Sequence, residues 1–291
     1  MNLAHAYPNE FNQMEDSPLK LLLKNIESYN FADQEPSTEN LDGIIGLGTK
    51  MPLEEFLKAF RVNNLNNLCQ VTNDDLIYEL FIAGIILRKP KLFLNNPLTI
   101  LSANESSTTP LHLFNENFNS SEHKEKIMDG VSAFLEKSRP LQRLKENVNI
   151  VVDELFSNAL FNAPIDENGK HVHKSIARNE VVRFPGKKNA TLFLVNSEND
   201  LFVGCLDPFG SIQRDQLIDT LEKAYSSGQV RDSSQDGEGA GLGIRMMLDR
   251  SRSIYMVSER GQRTLFVCHM RLNVSLKKVE NMPKQLHINC F

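Results

Sequence analysis

The segment DELFSNALFNA, residues 153–163, puts a carboxylate and two amides at a spacing that chemistry can use. Glu154, Asn158 and Asn162 recur at intervals of four, so on a helix they form one polar stripe. Val151, Val152, Leu155, Phe156, Ala159 and Leu160 supply apolar surface beside it. Such a stripe is ordinarily a solvated face. A solvated face usually mixes charges of both signs, yet no Lys or Arg occurs from Glu146 to Gly169. Oxygen-rich side chains without cations suit a hydrated Mg2+, which takes oxygen ligands and keeps several waters.

Asp207, in GCLDPFGSI, follows an apolar run and precedes a Pro and Gly turn. A carboxylate at a strand end can accept a hydrogen bond from an exocyclic amine such as that of adenine. The same residue can equally cap an Asp-Pro turn. The stretch DGEGAGLG, residues 236–243, concentrates glycine directly before IRMMLDR. Glycine costs backbone entropy, so the cluster needs a reason. One reason is a helix N-terminus whose bare N–H groups and dipole draw an anion; another is a flexible turn. No Gly-Lys-Ser/Thr follows, so this is not the P-loop, and it does not match a dinucleotide fingerprint.

In this order, the segments resemble the motifs of the histidine-kinase-like ATPase superfamily. ELFSNA looks like its N-box, DPFG like its first glycine box and GEGAGLG like its second. The resemblance covers about Pro110 to Leu272 and implies a Bergerat-type site for ATP and Mg2+. It assigns Glu154 as general base and Asn158 as Mg2+ ligand. Asp207 would read the adenine amino group, with Gly210 in the turn beside it and Thr264 supporting the adenine network. Gly239, Gly241 and Gly243 would approach the phosphates, and the stretch from about Ser226 to Ala240 would be a mobile lid. Phe209 and Ser211 stand where the family has glycines in its first box. No Arg directly precedes the second box, so Arg231 or Arg245 would have to meet the terminal phosphate. The compact layout resembles the anti-sigma-factor serine/threonine kinase branch. That branch implies a regulatory protein partner, either an anti-anti-sigma-like substrate or a sigma factor. A detached histidine-kinase catalytic module and a non-catalytic nucleotide-gated binding protein are the alternatives. His123 lacks the context of a phosphoacceptor and reads as a surface residue.

The elements that must position these groups are also legible. In the second half, PLHLFNENF reads as a strand, SSEHKEKIMDGVSAFLEKS as a helix, and LQRLKENVNIVVDELFSNALFNA as a longer helix stopped by Pro164. ATLFLVN and DLFVGCLD read as a hairpin. IQRDQLIDTLEKAYS and LGIRMMLDR read as helices, and SIYMVSERGQRTLFVCHMRL as a second hairpin turning at Glu259–Gln262. This mixture predicts an α/β sandwich, a mixed sheet with a helical layer. The polar loop DENGKHVHKSIARNE places His171 and His173 in solvent.

The first half predicts a helix from Ser17, a short strand at IIGLG, helices at MPLEEFLKAFR and DDLIYELFIAGIILRK, and a strand at PLTILSAN. The linker-like Asn104–Pro110 divides the chain into a smaller, mostly helical or α/β N-terminal domain over 1–105, an ATP-binding domain over 106–275 and a tail over 276–291. The tail's default reading is plain packing or disorder.

The net charge of −5 offers no field to attract nucleic acid. The longest apolar run, Leu80–Leu87, is far short of a membrane span. Four cysteines without metal or CxxC spacing, and an N-terminus without signal-peptide character, give a cytoplasmic expectation with neither membrane nor nucleic acid as partner. A homodimer is left open.

Overall fold

The computed structural model describes residues 27–30, 44–48, 53–62, 66–70, 76–102, 112–197, 199–226, 241–272, 274–280 and 282–291. The expected linker at 104–110 lies outside them, as do Gly239, Arg231 and the lid over 227–240.

The first half contributes β1 (Glu27–Asn30), β2 (Ile44–Gly48), α1 (Leu53–Val62), β3 (Asn67–Gln70), α2 (Leu76–Arg88), α3 (Pro90–Asn95) and α4 (Pro97–Leu101). Most of the helix expected from Ser17 falls outside the described residues, but Glu27–Tyr29, at its end, are strand. The strand expected at PLTILSAN is instead the short helix α4. Pro97 takes its first helical position, where the missing N–H and fixed φ cost nothing, and the Ser102 hydroxyl closes its end on the Leu98 carbonyl at 2.8 Å.

The second half contributes β4 (His112–Phe118), α5 (Lys124–Leu135), α6 (Arg139–Arg143), α7 (Lys145–Ser157), β5 (Ala190–Asn196), β6 (Asp200–Asp207), α8 (Arg214–Ser226), α9 (Leu242–Arg250), β7 (Ser253–Glu259), β8 (Arg263–Arg271), α10 (Leu276–Glu280) and β9 (Gln285–Cys290). Both expected hairpins form, β5 with β6 and β7 with β8. The long helix expected up to Pro164 is divided: α6 and α7 are separate, and Asn158–Asn162 form one wide turn in which the Ala163 N–H reaches the Asn158 carbonyl at 2.9 Å.

Among the described residues, nine strands form one mixed sheet in the order β1-β2-β3-β9-β7-β8-β6-β5-β4. The architecture is therefore α/β. The helical cover, however, is on both faces, where one layer was expected. On the first face α1 and α5 to α9 pack on residues such as Leu192, Leu194, Ile254 and Met256. On the second face α2, α3 and α4 pack on their neighbours Phe193, Val195, Tyr255 and Val257. Alternate residues thus bury in opposite cores, which is why these strands read as continuous apolar runs.

Among the described residues, β1 to β3 of the first half and β4 to β9 of the second belong to the same sheet. The tail, set apart in the sequence reading, supplies β9, which pairs antiparallel with β3 and parallel with β7. Buried Lys284 fixes its start by donating to the carbonyls of Asp249 (3.1 Å), Ser251 (2.8 Å) and Val279 (3.0 Å).

The second face also buries a charged cluster around Glu79 of α2. The carboxylate accepts from the Ser253 hydroxyl and from Tyr255 at 3.0 Å. It lies 3.5 Å from His269 Nδ1, 3.5 Å from His287 Nε2 and 3.8 Å from Arg252 Nε. Beyond it, His269 Nε2 meets Asp200 at 2.8 Å and His287 Nδ1 meets Asn67 at 3.1 Å. Burial would raise the Glu79 pKa, but the bonds and field of His269 and His287 outweigh it and hold the carboxyl well below the usual carboxylate range. Burial likewise opposes charge on His269, and Asp200 with Glu79 overcomes it, so its pKa is raised.

Candidate nucleotide-type cleft

On the first face, the C-terminal end of α7, its wide turn, the end of β6, α8 and the start of α9 surround a cleft of about 1050 Å3, open mouth included. Leu155, Ile212, Leu217, Ile244, Met247 and Phe266 form its apolar wall.

Glu154, Asn158 and Asn162 all line this cleft. The stripe is hydrogen-bonded along its length. Asn158 Nδ2 donates to Glu154 Oε1 at 2.9 Å, and Asn162 Nδ2 donates to Asn158 Oδ1. Each amide is thereby oriented, with the Asn158 oxygen turned away from the carboxylate. Burial raises the Glu154 pKa, against the field of Arg178 and the Asn158 bond.

Asp207 also lines the cleft and is buried at the last position of β6. Its Oδ1 accepts the Phe209 N–H at 2.9 Å, so it caps the turn that follows β6. Thr264 is its cross-strand partner on β8, is buried, and shares a 3.1 Å hydrogen bond with Ser258. Burial pushes the Asp207 carboxyl up to about 7, although the N–H groups of Phe209 and Gly210, the Thr264 side chain and Lys188 all oppose that rise.

The glycines divide in function. Gly210, at φ 60°, packs so tightly under the β7–β8 turn that a Cβ would fall 2.1 Å from the Glu259 carbonyl. Only glycine fits there. Phe209 is buried edge-on against Phe184 at 5.0 Å between centroids and lies under Lys188. Gly241 lines the cleft just before α9. Gly243, two residues on, faces Glu154: a Cβ would fall 2.0 Å from its Oε1. Its bareness lets α9 close against the carboxylate. Gly239 lies outside the described residues.

Arg245 does not line the cleft. Its guanidinium covers the Tyr225 ring at 4.7 Å, donates to the Ala224 carbonyl at 2.7 Å and lies 3.6 Å from Asp249. Among the described residues, the cations that line it are Lys174 and Arg178, with His171, all from the loop after Pro164. His173, expected in solvent, is buried and donates from Nδ1 to the Leu160 carbonyl at 2.8 Å. The sequence signal was present in outline. The cation-free run ends at Lys170, and HVHKSIAR follows at once.

A comparison with protein-family models finds no match, and a comparison with curated proteins finds none either.

Proposed function

We propose that this protein binds ATP with Mg2+ in this cleft, as members of the histidine-kinase-like superfamily do. We further propose that it acts on a protein partner as a regulatory serine/threonine kinase of the anti-sigma-factor type. The observation that carries the reading is one cleft lined together by a buried acceptor, Asp207, by the hydrogen-bonded Glu154–Asn158 pair and by an apolar wall.

The residues fit the ligands. The wall accepts a flat apolar base, and ionised Asp207 can accept its exocyclic amine. Asn158 Oδ1 accepts one hydrogen bond, which leaves a lone pair for a cation. Among the described residues no group of three or more His, Cys, Asp or Glu could hold a metal unaided. A divalent ion would therefore share its coordination with phosphate oxygens, the usual habit of Mg2+. Bound ATP and Mg2+ would supply the transferable phosphoryl group and neutralise its charge. Glu154 would take the proton of the attacking hydroxyl, and its burial brings its pKa nearer to working pH. Asn158 holds that carboxylate in one orientation.

Calorimetry with and without Mg2+, on the wild type, Asp207→Asn and Glu154→Gln, tests binding. Phosphopeptide mapping of partners captured with ATP tests transfer. Acid-stable phosphoserine or phosphothreonine, slowed about 10²–10⁴-fold by Glu154→Gln, supports the kinase reading. ATP binding without transfer to any partner would replace it with a nucleotide-gated binding protein. No ATP binding would end both.

A further inference from the structure

The loop between Pro164 and Phe184 is built into the fold. At its start the Val172 N–H bonds the Pro164 carbonyl at 3.0 Å, and Ile165 bridges His171. His173 pins it to the wide turn after α7 through Leu160. At its far end the Val182 N–H bonds the Ser121 hydroxyl at 3.1 Å, and the Phe184 N–H bonds the Asn119 carbonyl at 2.8 Å. Between these anchors, His171, Lys174 and Arg178 line the cleft. Among the described residues, neither cation has a hydrogen-bond or ion-pair partner. His171 Nδ1 is buried without one. Lys174 and Arg178 are exposed and solvated, so they stand ready for an anion in the cleft, and the buried His171 Nδ1 is the polar atom that a ligand would satisfy.

We infer that this loop is the polyphosphate clamp of the cleft, with Arg178 contacting the terminal phosphate and Lys174 and His171 flanking the chain. Position assigns the roles. Arg178 lines the cleft together with Glu154 and its field reaches that carboxylate, whereas Lys188, whose field reaches Asp207, is not among the lining residues. The α7 stripe itself carries amides and no cation, and Arg245 is held by Tyr225 and Asp249. A guanidinium offers a planar fork to phosphate oxygens, so Arg178 serves this purpose better than a lysine. The inference rests on the ATP reading for the identity of the nucleotide, but the clamp itself has its own probe.

The test measures binding of ATP, ADP, AMP and inorganic tripolyphosphate to the full chain, in the wild type, Arg178→Ala, Arg178→Lys and Lys174→Ala. Arg178→Ala should weaken ATP and tripolyphosphate at least about tenfold, ADP less, and AMP not at all. Arg178→Lys should restore part of the ATP affinity. Equal weakening of ATP and AMP would mean that Arg178 merely supports the cleft and would overturn the assignment, as would unchanged ATP affinity. Arg178-dependent binding of tripolyphosphate without any adenine nucleotide would keep the clamp and discard the ATP reading. Binding of none of the four probes would discard both.

Discussion

Asp207 carries two roles that pull in opposite directions. It is a buried carboxylate that the fold would rather keep protonated, and a candidate acceptor that works best when ionised. Its pKa, about 7, is above its ordinary 3.8. The folded state therefore gains from the neutral form: that stability is present below pH 3.8 and is lost as pH rises through 7. Ligand binding runs the other way. ATP affinity should rise as pH goes from 6 to 8, because the acceptor ionises and the amine donates to it. Asp207→Asn should abolish that slope and weaken ATP by one to two decades, for a lost charge-assisted bond of roughly 1.5–3 kcal/mol. The same variant should melt at a higher temperature than wild type at pH 8, since it removes a buried charge. A pH series of calorimetric titrations and melts reads both effects. A pH-independent wild-type affinity would show that Asp207 does not meet the ligand.

At the scale of elements, the cleft depends on how closely α9 approaches α7. Gly243 is the point of contact, and Gly243→Ala would drive a methyl group into the Glu154 carboxylate. The clash is with the far end of a flexible side chain, which can swing aside at little cost in stability. The expected result is a folded protein whose phosphate transfer is lost more completely than its ATP binding, because Glu154 must rotate away while Asp207 stays in place. Equal loss of both would mean that the whole cleft collapses. The opposite face has its own contact point in Glu79, which ties α2 to β7, β8 and β9. Its depressed pKa contributes stability that is present above 4.5 and lost as pH falls. The raised pKa of His269 contributes stability present below 6.5 and lost as pH rises through its folded value. Thermal stability should therefore peak between about pH 4.5 and 6.5 as far as this cluster governs it. Glu79→Gln should cost about 3–5 kcal/mol, the cost of breaking a buried pair, and flatten the acid limb of the melting-versus-pH curve. An unchanged acid limb would assign it to other carboxylates.

At the scale of the whole molecule, what the sequence made legible follows from the range of the forces involved. The hairpins, α5, α8, α9 and the Glu154–Asn158–Asn162 stripe are set by local periodicity and turn chemistry, so pattern reading reaches them. The tail strand was not legible, because QLHINC becomes a strand only when β3 and β7 stand on either side of it. Lys174 and Arg178 were missed for a similar reason, since loop anchors such as His173 to Leu160 are tertiary contacts. One clue to the second helical layer was in plain view. LFLV, LFVGCL and IYMV do not alternate, and a strand without alternation is buried on both faces. That clue bears on how the chain can be cut. Residues 106–275 alone would lose α2, α3 and α4 from the second face and β9 from beside β7. Phe193, Phe202, Tyr255 and Val267 would then meet water, and His269 would lose Glu79. This fragment should accordingly aggregate or bind a hydrophobic dye, whereas the full chain should unfold in one cooperative transition. Size-exclusion chromatography and calorimetric melts of both proteins make the comparison. A monomeric 106–275 fragment that melts cooperatively and binds ATP as the full chain does would show that the ATP-binding half folds without its second layer.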